Sequence, residues 1–224
     1  MTLIKQKYTY ERLKRVEVNG KRRYETPGGP PVASVTTILG ETKDKSHLIA
    51  WKKRVGEAKA QEIVTEASGV GTRMHKYLED YIEFGEWPSA GSNPYAQQAH
   101  MMATTIKVHA MDDVDEIWGS EVPLYVPKLY AGTTDLVGTY KGNPCIMDFK
   151  QTNKPKKLEW VEDYFLQLVA YSEAHNKQYG TDIRSGKIFI CTQNNEFQTF
   201  EIDNYDHWVG QWYAKLEQYY KAIL

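Results

Sequence analysis

The stretch "GTTDLVGTYKGNPCIMDFKQT", residues 132–152, reads as two strands joined by a tight turn at Lys141-Gly142-Asn143. Each strand presents one aspartate, Asp135 and then Asp148, at nearly equal distances on either side of Gly142. Near-opposite residues of an antiparallel hairpin can share a face. Two carboxylates there repel unless a cation lies between them, and a hard divalent ion such as Mg²⁺ suits such a pair. Lys150 follows Asp148 by two residues, so the strand period puts both side chains on one face. A D-x-K triplet is common by chance on exposed strands. Here it ends an apolar run, "CIMDFK", whose charges appear only at its C-terminal end, where sites of α/β proteins tend to form. Paired acids with a lysine beside them suit metal-assisted phosphodiester hydrolysis.

Outward from this hairpin, the pattern predicts a single domain with a mixed sheet and helices on its faces. Residues 15–25, around Asn19-Gly20, read as another hairpin, and "TPGGPP" then breaks the chain before Ser34, which is placed to cap a short helix. A helix is expected from about 46 to 67, with Leu48, Trp51, Val55, Ala58 and Ile63 facing inward, and a second one after Gly69-Val70-Gly71, running to about Phe84. The buried stripe of the second is Val70, Met74, Tyr77, Leu78 and Tyr81. A helix over 95–111, strands over 114–150, a long helix over 158–180, a strand pair and a closing helix over 205–223 complete the reading. We divide the chain into residues 1–33, a hairpin and linker packed on the core, and 34–224, the main domain.

The 224 residues, 41% hydrophobic and 25% charged, fit an ordinary globular protein. The formal net charge of −1 does not mark a nucleic-acid binder, although Lys150, Lys154, Lys156 and Lys157 make a local basic patch. Cys145 and Cys191 form no motif and are expected as buried thiols. No apolar run has the length of a membrane span, and the N-terminus lacks an apolar signal core, so a cytoplasmic protein of bacterial or phage origin is expected.

With these residues in view, the chain resembles the RecB-like branch of the PD-(D/E)xK nucleases. "GTTD" and "MDFK" resemble its G-x-x-D and D-x-K motifs, Gln167 and Tyr171 its Q-x-x-x-Y, and Gly71, His75 and Glu79 its helical G-x-x-x-H-x-x-x-E. The "SVTTIL" and Trp51 region is similar to organellar and phage members. Thr134 stands where the family's nominal proline precedes the first aspartate. The resemblance implies a restriction-endonuclease-like α/β core and a metal-dependent deoxyribonuclease, most simply an exonuclease on single-stranded DNA ends. Its Mg²⁺ or Mn²⁺ would be held by His75, Asp135, Asp148 and the carbonyl of Phe149, with Lys150 activating the attacking water or stabilising the pentavalent phosphate. Gln167 and Tyr171 share a helical face and would hold a phosphate or the surroundings of the water. Glu79 would orient its neighbours or hold a second ion, and Glu121 would either complete the acidic site or remain an exposed strand residue.

Thr152, Lys154 and Lys157, with Trp160, would track the nucleic-acid strand. No G-x-x-x-x-G-K-[ST] motif is present, so any motor would come from a replication or recombination partner. Two other readings compete: a structure-specific endonuclease cutting flaps or junctions on the same fold, and a non-catalytic nucleic-acid-binding module.

Overall fold

The computed structural model describes residues 2–223. Five strands form the central sheet: β4 (Val114–Val126), β5 (Tyr130–Tyr140), β6 (Asn143–Thr152), β7 (Ser185–Thr192) and β8 (Phe197–Glu201). They lie side by side in chain order, antiparallel throughout except for the parallel β6–β7 pair. That parallel pair needs a crossover, which is supplied by α5 (Glu162–Tyr179). The expected α/β fold with a mixed sheet is the fold observed.

The helices divide between the two faces. On one side α1 (Val35–Thr42), α5 and α6 (Tyr205–Lys221) bury Ile38, Phe165, Val169 and Trp212 against Val137, Ile146 and Ile188. On the other, α3 (Glu57–Phe84) and α4 (Pro94–Ala110) bury Met74, Leu78, Met102 and Ile106 against Leu136, Met147 and Phe189. Successive β6 residues therefore feed opposite cores, which explains the unbroken apolar run before Asp148. Ser34 caps α1 by accepting from the Thr37 N–H at 3.0 Å. The hairpin of β1 (Arg15–Val18) and β2 (Lys21–Tyr24) turns through Asn19 and Gly20, both at positive φ, and β3 (Val32–Ala33) adds a third strand. Both cysteines are buried and free. Among the described residues, no helix is long and apolar enough to cross a membrane.

The helix boundary in the first half of the chain lies elsewhere than the pattern predicts. α2 (Ser46–Val55) ends at Gly56, whose φ of 87° only glycine adopts readily, and α3 then runs unbroken through Gly69 and Gly71. Neither of those glycines takes a positive φ. At Gly71 the helix lies against Gln151 of β6, and the packing of α3 on the sheet outweighs the helix-breaking tendency of glycine. The inner positions expected for 46–67 are also corrected. Leu48 and Ala58 are exposed, Trp51, Val55 and Ile63 are half-buried, and Ala60 is the buried residue of that stretch. In the second stripe Val70, Met74 and Leu78 are buried with Ile82, while Tyr77 and Tyr81 are half-buried.

His175 of α5 lies buried among Tyr8, Tyr10, Trp118 and Tyr179. Tyr10 Oη and Thr181 Oγ1 meet its two ring nitrogens at 3.1 and 2.8 Å. Burial holds its pKa down to about 4 from 6.5. The unfolded chain therefore takes up this proton first: the stability is fully present above pH 6.5 and is lost as pH falls toward 4, by at most about 3 kcal/mol. Urea unfolding between pH 7 and pH 4 (approximate limits) should show a shallower acid loss for His175→Gln than for the wild type. Parallel slopes would remove His175 from the acid response.

Candidate active site

The β5–β6 ladder pairs Tyr140 with Asn143 and continues to Leu136 opposite Met147, where it stops. One further step along the same register sets Asp135 directly across from Asp148. There the Asp135 carboxylate takes over from the ladder, its Oδ2 accepting the Phe149 N–H at 2.7 Å. The Phe149 carbonyl, which points the same way, is thereby left without a strand partner on the β5 side and meets His75 Nε2 of α3 at 2.7 Å. His75 Nε2 also lies 3.1 Å from Asp135 Oδ2, and its Nδ1 donates to the Gly71 carbonyl at 3.0 Å. Three atoms thus converge: a carboxylate oxygen, a main-chain oxygen and an imidazole nitrogen.

The charges around this point are strongly coupled. Burial pulls the His75 imidazole down, but the adjacent Asp135 carboxylate overrides it and raises the pKa to about 9. Burial pushes Asp135 up, and His75 and Lys150 bring it below the usual aspartate range. Asp148, 2% exposed, is pushed up by burial and by Asp135. Its Oδ2 is in ion-pair contact with Lys150 Nζ but accepts no well-directed hydrogen bond. A proton on His75 Nε2 and the Lys150 ammonium therefore neutralise two buried acids.

This donor set fits a hard divalent cation. Among the described residues, no three His, Cys, Asp or Glu side chains form a ready-made metal cluster. Two carboxylates with the Phe149 carbonyl nevertheless supply the oxygen ligands that Mg²⁺ or Mn²⁺ prefers, and Asp148 Oδ2, whose contact is the Lys150 ammonium, has acceptor capacity to spare.

α5 closes the site from the other side. Tyr171 is buried, its hydroxyl hydrogen-bonded by Gln167, and its ring lies across Gly132 of β5. A Cβ on Gly132 would sit 2.7 Å from Tyr171 Oη and 2.8 Å from its ring. Gly132→Ala must therefore displace a packed tyrosine, at a cost of about 1–3 kcal/mol. At Gly71 a Cβ meets Gln151 at an ordinary 3.7 Å, and helix propensity favours alanine by up to about 1 kcal/mol. Thermal melting should therefore fall for Gly132→Ala and hold or rise for Gly71→Ala; the reverse order would refute this packing.

Two residues beyond the sequence motifs face the same cluster. Tyr164 places its ring 5.2 Å beneath the Lys150 ammonium. Its spacing to Gln167 and Tyr171 put it on the same helical face, which was the available signal. Glu121, exposed as a residue, lies across from Asp135 with φ 48°, and partial burial together with the Asp135 charge pushes its carboxyl up to about 7. Glu79 is half-buried and is held by Lys76 on the same helix at 3.5 Å. Beyond β6, Thr152 is buried and its hydroxyl donates to the Lys154 carbonyl at 3.0 Å, while Lys154 and Lys157 are exposed and Lys157 lies over the Trp160 ring.

No protein-family model matches the chain. It is 26% identical over 204 residues to the human protein named mitochondrial genome maintenance exonuclease 1, covering 84% of this chain and 58% of that one. The chain resembles that exonuclease. The Xenopus tropicalis protein of the same name is 26% identical over 210 residues, covering 85% and 58% of the two chains. This chain thus spans less than two thirds of the length of the curated relatives it matches. Among solved structures, a candidate exonuclease of Eubacterium rectale aligns with a TM-score of 0.49 and 17% identity over 68% of this chain and 64% of that one.

Proposed function

We propose that the chain is a metal-dependent nuclease of the PD-(D/E)xK type that hydrolyses phosphodiester bonds at single-stranded DNA ends. One observation carries this reading: Asp135 Oδ2, Phe149 O and His75 Nε2 converge beside the buried Asp148–Lys150 pair. A protein that only bound DNA would gain nothing from two buried acids facing a polyanion. The exonuclease name of the relatives supports the nuclease class and an end-directed mode.

In this reading His75, Asp135, Asp148 and the Phe149 carbonyl hold Mg²⁺ or Mn²⁺, which supplies Lewis acidity and a more acidic water. Lys150, positioned by Asp148 and Tyr164, brings a fixed ammonium to the charge that develops on the scissile phosphate. Gln167 and Tyr171 form a rigid polar wall on the α5 side, orienting the phosphate or the water.

The test is cleavage of end-labelled linear and circular single-stranded DNA with Mg²⁺, Mn²⁺ or EDTA. Metal-dependent loss of the linear strand alone is expected. Cutting of the circle would replace the exonuclease with an endonuclease, and binding without cleavage under either metal would leave a non-catalytic module.

A further inference from the structure

A groove of about 620 Å³ lies between the α1–α2 connection and the start of α2, the 3₁₀ turn Leu158–Trp160, the start of α5, and α6. We propose that this groove holds a neighbouring nucleotide of the bound strand, its base against Trp160 and Trp208 and its phosphate on Lys156. The proposal rests on the nuclease reading and names a substrate subsite for it.

The lining carries lysines and carboxylates in comparable number, so the groove is no general trap for anions. Lys43 is committed to Asp163, and Lys215 donates to the Thr42 carbonyl at 2.9 Å. Lys156 is different. It makes no ion pair among the described residues, it is half-buried, and Gln198 pins its main chain, accepting its N–H at 2.7 Å and donating to its carbonyl at 3.0 Å. Burial and the nearby Lys43 both disfavour its charged form. A half-buried ammonium on a pinned main chain, with no ion pair among the described residues, suits a single phosphate.

The aromatic wall suits a base. Trp160 is 53% exposed, although one face of its ring is covered by Lys157 at 5.3 Å. Trp208 is held by its indole N–H on Asp203 at 3.1 Å and by packing on Phe165 at 5.1 Å. Two indoles, one of them held, beside the Gln211 amide suit any base through its π-face. The volume matches a small-ligand site.

The groove and the acid–lysine cluster meet along α5, where Asp163 lines the groove and its chain neighbour Tyr164 lies under the Lys150 ammonium. In the proposed arrangement, a strand whose scissile phosphate lies at Lys150 continues past Tyr164 toward Lys156 and Trp160.

The experiment compares Lys156→Ala and Trp160→Ala with the wild type. Fluorescence anisotropy of a labelled short oligothymidylate in EDTA should show about ten-fold weaker binding for each variant. KM on linear single strands should rise with kcat unchanged. Hydrolysis of bis(p-nitrophenyl) phosphate, which reaches only the acids and Lys150, should be unaffected. Unchanged oligonucleotide affinity in both variants overturns the groove, and so does a parallel loss of bis(p-nitrophenyl) phosphate hydrolysis. Thymidine monophosphate binding as tightly as the oligonucleotide would make this a free-nucleotide site and overturn the strand-borne form. A wild type that binds the strand but cleaves nothing under Mg²⁺ or Mn²⁺ overturns the nuclease reading, while weakened variants would still support the groove.

Discussion

Asp148→Asn is expected to lower kcat by about a thousand-fold or more while the protein keeps its fold and its melting temperature in EDTA. The two halves of this expectation come from one residue environment. Asp148 is 2% exposed, and its Oδ2 accepts no well-directed hydrogen bond although Lys150 lies against it. Keeping such a carboxylate ionised costs desolvation energy that the Lys150 ammonium, and to a lesser degree His75, offsets. Asparagine preserves the volume and an acceptor oxygen for Lys150, and Asp135 remains as a nearby counter-charge to its ammonium, so the folded state loses little. What it removes is the charge that would hold a divalent ion across from Asp135. A ligand that binds only the folded state stabilises it by about 3 kcal/mol at a hundred-fold excess over Kd. The wild type should accordingly melt higher in Mg²⁺ or Mn²⁺ than in EDTA, and Asp148→Asn should show no such rise. Scanning fluorimetry with and without metal, paired with single-turnover cleavage, checks both halves. Full turnover by the variant would sink the assignment of Asp148.

Much of this site was legible in the chain because it is built from a local element. The turn at Lys141-Gly142 fixes the register, the register sets Asp135 across from Asp148, and the strand period carries Lys150 to the same face. His75 and Gly71 were readable for a similar reason, as residues one turn apart on a helix. The remainder depends on contacts distant in sequence. Gly56 and Gly71 look alike on paper. The first ends a helix because its backbone takes a positive φ, while the second sits inside one because β6 packs against it. The faces of β5 are another case. Tyr130 and Gly132 face α5, and so does Val137, so the in–out alternation slips by one around Asp135, opposite the positive φ of Glu121. No period-2 reading of "YAGTTDLVGT" contains that slip. Tyr164 carried a helical-spacing signal, but its place under the Lys150 ammonium follows from how α5 crosses the sheet. The role of Gln198 in pinning Lys156 had no signal at all, because β8 is a separate strand far along the chain.

Lys150→Ala should be the most destabilising single change in the site and should cost turnover rather than affinity. Removing the ammonium leaves Asp148 and Asp135 buried and opposed, with His75 as the one remaining cation in contact among the described residues. Breaking a buried pair from one side costs about 3–5 kcal/mol. The lower end is expected here, because Asp148, already pushed up by burial, can take a proton instead of remaining charged. The double variant Asp148→Asn/Lys150→Ala removes the stranded charge as well, so most of the stability should return, with a coupling of about 2 kcal/mol between the two positions. Chemical denaturation of the four proteins in EDTA closes this cycle, and strictly additive losses would mean that the pair is not a unit. For catalysis, an ammonium that acts on charge developing in the transition state lowers kcat by about a hundred- to a thousand-fold when lost and leaves KM nearly unchanged. A loss carried wholly by KM would make Lys150 a docking residue for the strand, and the work of activating water would then fall to the ion and the α5 wall alone.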